Sequence, residues 1–69
     1  MSVYKIIRIV GSSPNSWEEA ARNAVAEAGK SLREMRIAEV EQFDMRFENG
    51  KIVEYRARLH VSFRYEGGD

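Results

Sequence analysis

The chain has 69 residues and a mass of 8.0 kDa, and its 43% hydrophobic and 32% charged content is that of a folded domain, not a disordered one. Eleven Lys/Arg balance eleven Asp/Glu, so the net charge is zero and no general field draws in nucleic acid or anionic lipid. Cysteine is absent, which excludes disulfides, thiolate metal sites and a Cys nucleophile, and no apolar run approaches a membrane span; one cytoplasmic domain over residues 1–69 is expected.

Val3 to Val10 is dense in β-branched and aromatic residues and reads as a strand ended by Gly11. Val3, Ile7 and Ile9 fall on one side and Tyr4, Ile6 and Val10 on the other, so both sides of this strand expect cover. Gly11-Ser12-Ser13-Pro14-Asn15 is turn chemistry. It lacks the Gly-x-Gly or Gly-Lys-Ser/Thr pattern of a phosphate loop. Ser16 with Glu19 three residues on forms a capping box that opens a helix. Trp17, Ala20, Ala21, Ala24, Val25, Ala28 and Leu32 make one apolar stripe. Its alanines let the helix lie close to a sheet. Gly29 weakens the last turn by about 1 kcal/mol.

Met35 to Phe47 reads as a second strand, with Ala38 and Val40 opposite in parity to Ile37, Glu39 and Glu41. Phe43, Met45 and Phe47 break that phase, which predicts a bulge near Glu41-Gln42. Asn49-Gly50 is the pair favoured in a type I′ hairpin. The third strand is the clearest. Val53, Tyr55, Ala57, Leu59, Val61, Phe63 and Tyr65 alternate with polar residues and mark the face that meets the core. Gly67-Gly68-Asp69 is expected to fray.

The order is β-α-β-β, an α+β subunit with one helix on a three-stranded antiparallel sheet. A helix of about 17 residues spans roughly 25 Å, whereas a strand of about 14 residues spans roughly 45 Å. The helix cannot cover such a strand. Either the sheet curls around the helix or other subunits bury the protruding ends; with so small a core both are expected, and the chain is expected to be an oligomer.

Few residues offer chemistry. His60 lies between arginines without Ser–His–Asp spacing and reads as a surface or interface histidine. No HExxH or EF-hand pattern occurs. Glu39, Glu41, Asp44 and Glu48 cluster along the second strand; in a monomer they are a solvated edge, while in a symmetric assembly copies of a carboxylate can converge on Ca²⁺ or Mg²⁺. Arg56, Arg58 and Arg64 face away from the aromatics, the wrong parity for a nucleic-acid platform. They are expected to pair with Glu39 and Glu41 or to receive an anion. Nothing here is equipped for acid–base or nucleophilic work, so a binding protein is expected rather than an enzyme.

The residues resemble the dodecin family in order along nearly the whole chain. The matching stretches are Val3-Tyr4-Lys5, Ile9-Val10-Gly11-Ser12-Ser13-Pro14, Ser16-Trp17-Glu18-Glu19-Ala20, Arg22-Asn23-Ala24, Ala38-Glu39-Val40, Glu48-Asn49-Gly50-Lys51-Ile52 and Phe63-Arg64-Tyr65. The resemblance implies a sheet wrapped around its helix, a hollow homododecamer, and storage of a small ligand at a two-fold subunit contact. In flavin-binding dodecins a tryptophan sandwiches the ring and a glutamine bonds its edge. Those positions correspond here to Ile37 and Arg56, and the Asp-Gly common after strand two is Asp44-Met45. An aliphatic side chain offers no π-face for stacking, and a guanidinium has no acceptor. The pocket positions Ile37, Arg56 and Met45 instead resemble a tryptophan-free branch that holds calcium. The resemblance therefore implies Ca²⁺, another small ion or an anionic metabolite as ligand, with Asp44 the leading metal candidate, then Glu41 and Glu48. A riboflavin or FMN store is the alternative, and a structural assembly with vestigial sites the second. Trp17, in the first helical turn on the core stripe, is expected to be an anchor.

Overall fold

A computed structural model describes residues 3–65, so the Gly67–Asp69 tail lies outside the described residues. Strand β1 runs Tyr4–Ser13, helix α1 Trp17–Ala28, β2 Met35–Glu48 and β3 Lys51–Arg64. The sheet order is β1-β3-β2, antiparallel throughout. The clearest strand of the sequence is thus the central one, and the helix lies on its apolar side.

Gly11 does not end the first strand. It sits within β1, opposite Ala57 of β3. A Cβ there would meet the Ala20 carbonyl oxygen at 2.1 Å and the Ala24 Cβ at 2.7 Å. The glycine lets helix and strand touch backbone to backbone, so its role is close approach and not termination. The buried core is Ala20, Ala24, Ala57, Leu59 and Val61, edged by Ile7, Ile9, Ala21, Val25 and Met35. Three of the five buried positions are alanine.

The helix is shorter than its apolar stripe. It stops at Ala28 with Gly29 as cap in a right-handed conformation, and Leu32 continues the stripe through a turn whose N–H donates to the Ala28 carbonyl. Half of the expected capping box is present: the Ser16 hydroxyl accepts from the Glu19 N–H at 3.0 Å. The Glu19 carboxylate turns elsewhere. It accepts from the buried Ser13 hydroxyl at 2.5 Å and from Asn15 Nδ2 at 2.9 Å. Those two bonds, Ser13 first, hold the Glu19 carboxyl below its usual pKa. The strand end and the helix start are thereby tied together.

The predicted irregularity in β2 is present: the register with β3 shifts between Val40 and Gln42 and leaves Glu41 on the bulge. Asn49 and Gly50 take φ values of 52° and 75°, as a type I′ turn requires. At 12 residues the helix spans about 18 Å and the 14-residue strands about 46 Å. The long axis of the subunit is 51 Å. The β2–β3 ribbon therefore projects well past the helix. Cover for both sides of β1 is not supplied by its own chain: Val3, Tyr4, Ile6 and Val10 are all exposed.

Candidate ligand site on the uncovered sheet face

Strand alternation sends Ile6, Arg8, Ile37, Glu39, Arg56, Arg58, His60 and Ser62 to the sheet face opposite the helix. Register orders them into rows. Ile6, Ser62 and Ile37 lie side by side across the three strands, and Arg8, His60 and Glu39 form the next row. Together Ile6, Ile37, Glu39, His60 and Ser62 line a shallow concavity of about 200 Å³. Ile37 is 67% exposed.

The residues singled out in the sequence are not gathered in one subunit. Ile37 pairs with Ser62 and Asp44 with Arg56, six residues further down β3 or roughly 20 Å along the strand. Met45 pairs with Tyr55 and faces the helix side of the sheet, not the side of Ile37 and Arg56. Any pocket that uses all three needs more than one copy of the chain.

The arginines do not find the expected partners. Arg56 grips Asp44 through two parallel bonds, Nε to Oδ1 at 2.7 Å and Nη2 to Oδ2 at 2.9 Å. Arg58 donates to Gln42 Oε1 at 3.1 Å, and Arg64 lies 3.9 Å from Glu34. The bulge explains the change: beyond Val40 it moves β2 by one residue and delivers Asp44 opposite Arg56. The hydrogen bonds from Arg56 hold the Asp44 carboxyl below its usual pKa and raise that of Arg56 in return. Glu41 lies 3.2 Å from Arg8 Nε and 3.2 Å from His60 Nε2, while Arg8 Nε also donates to His60 Nε2 at 3.3 Å. Arg46 joins Glu48 at 2.6 Å and Glu54 at 3.0 Å, and these bonds raise its pKa.

Trp17 is the anchor its position suggested. Its ring meets Tyr55 edge-on at 5.2 Å and Phe43 at 5.6 Å, and its Nε1 donates to the Asp44 carbonyl at 3.0 Å. What sequence reasoning missed is this link between the helix start and the backbone that presents Asp44. The capping box gave no hint of it.

Calcium takes six to eight oxygen ligands. Among the described residues no group of three or more His, Asp or Glu could hold a metal ion. Asp44, Glu41 and Glu48 are each engaged by a base and face different partners. The carboxylates of one subunit therefore do not fit a calcium ion. Glu39, beside Ile37, has no basic partner within ion-pair distance among the described residues.

Comparison with known proteins places this geometry. Residues 3–66 match the Dodecin family. The chain belongs to the dodecin family. Calcium dodecin of Mycobacterium tuberculosis is 47% identical over 64 residues, spanning 93% of this chain and 90% of that protein. The Thermus thermophilus dodecin is 36% identical over 64 residues, 93% of each. The solved structure of the mycobacterial calcium dodecin, described as calcium-chelating with a novel calcium-binding site, superposes with a TM-score of 0.86 at 46% identity, covering 99% of this chain and 97% of the other. The β-α-β-β order and the three-stranded antiparallel sheet with one helix are thus those of dodecins. No helix among the described residues is long and apolar enough to cross a membrane.

Proposed function

We propose that this chain is the single-domain subunit of a cytoplasmic, non-enzymatic homododecamer that stores or sequesters a small ion, with calcium the ion indicated by its mycobacterial relative. The observation that carries the reading is the bare aliphatic row of Ile6 and Ile37 on the uncovered face, in a chain 47% identical to a calcium dodecin. The family resemblance puts the flavin-stacking tryptophan at Ile37. A sec-butyl side chain forgoes the ~0.5–1.5 kcal/mol that an aromatic pair adds beyond burial. At the position of the flavin-bonding glutamine, Arg56 is already committed to Asp44. An ion site would take its oxygens from more than one copy. Self-association is therefore part of binding, and neither nucleic acid nor membrane is needed as partner.

Family membership itself favours a second reading, a riboflavin or FMN store. Elemental and small-molecule mass analysis of the intact purified assembly separates the two. Calcium in fixed ratio to the chain, with no flavin, is the expected result. A flavin that co-purifies, or quenching of added riboflavin fluorescence, supports the second reading. An assembly that holds neither and binds neither when supplied is a structural shell.

A further inference from the structure

We infer that Arg56 determines which ligands the uncovered face accepts by occupying Asp44, and that Asp44, Glu41 and Glu48 are counter-ions of arginine, across strands or within β2, and not calcium ligands. The inference rests on the ion-storing reading above and concerns which carboxylates take part in it.

Asp44 is the strongest case. Both carboxylate oxygens accept from one guanidinium, and the backbone carbonyl accepts from Trp17 Nε1. A cation approaching Asp44 would have to displace the planar fork or sit beside its positive charge. The fork is also held in place: Asp44 is fixed by the indole from the helix, and Arg56 by the central strand. A neutral amide at position 56 would leave the Asp44 carboxylate uncompensated and open to a cation. Glu41 repeats the pattern with Arg8 and His60, and Glu48 with Arg46. In each case an arginine already answers the charge: Arg56 from the adjacent central strand, Arg8 from the far strand β1, and Arg46 from within β2. The three carboxylates also point to three different bases rather than towards one another. Asp44, Glu41 and Glu48, though clustered along the sequence, are therefore three separate ion pairs.

The test is calcium titration by calorimetry on the assembled full chain, with the oligomeric state of every variant checked by sedimentation. Asp44→Asn, Glu41→Gln and Glu48→Gln should each keep calcium affinity within about twofold of the original chain, and Arg56→Gln should tighten it by about tenfold or more. The double variant Arg56→Gln with Asp44→Asn should lose that gain, because the newly opened carboxylate is gone. If Arg56→Gln does not assemble, Arg56→Lys retains the charge but not the fork and should tighten binding by a smaller margin. A loss of about tenfold in any of the three carboxylate variants overturns the inference, as does an Arg56 variant with unchanged affinity. An original chain blind to calcium beside an Arg56→Gln variant that binds it would sink the ion-storing reading alone. If neither binds, both fail.

Discussion

The two faces of the sheet solve different problems. On the helix side the contacts are small and tight: Gly11 against Ala20 and Ala24, with Ala57, Leu59 and Val61 beneath. On the other side Ile6, Val10 and Ile37 stand in solvent among cross-strand ion pairs. The first face holds the subunit together through close fit, where one methyl group is felt. The second leaves apolar surface bare and neutralises its own charges, the combination that suits contact with further copies. Close packing and bare, self-neutralised surface therefore lie on opposite sides of the same three strands.

Substitutions can break this contrast or sharpen it. The largest effect is expected from Gly11→Val, since even one added carbon lands 2.1 Å from a backbone oxygen that cannot move aside. Soluble folded protein should be lost, as read by circular dichroism. Leu59→Ala, in the centre of the same face, should cost about 2–5 kcal/mol in chemical denaturation of the assembly. Trp17→Phe retains a ring but removes the donor to the Asp44 carbonyl, and a loss of about 1 kcal/mol is expected. The smallest effect lies on the open face. Asp44 is more acidic in the folded chain than in the unfolded one, so its ionised form adds stability above the ordinary aspartate range. That contribution disappears as pH falls through the lowered value. The stability difference between the original chain and Asp44→Asn should shrink towards zero over that acidic window and also diminish with salt. A pH-independent difference would contradict the role given to the pair.

Much of the fold was legible because its signals are local. The alternation of Val53 to Phe63, the Asn49-Gly50 turn and the phase break near Glu41 each map onto a backbone geometry. Gly11 was misread because a glycine that ends a strand and one that admits a helix look alike in sequence; only the facing Ala20 and Ala24 distinguish them. The length of α1 was overestimated because Leu32 keeps the apolar phase after the helical bonds have ceased. The arginine partners were missed for a non-local reason. A bulge displaces the pairing of everything beyond it, so Arg56 meets Asp44 while Glu41 goes to Arg8 and His60. Of the candidate site, the sequence could name Ile37, Met45 and Arg56 through family likeness, but their placement at distant registers and on two faces follows only from the pairing.

The central claim is that this subunit buries too little to persist alone and that its binding surfaces arise where identical copies meet. Sedimentation velocity of the full chain at high dilution tests it most directly. The account predicts a dodecameric species with no folded monomer beside it; a monodisperse, fully structured monomer would contradict it.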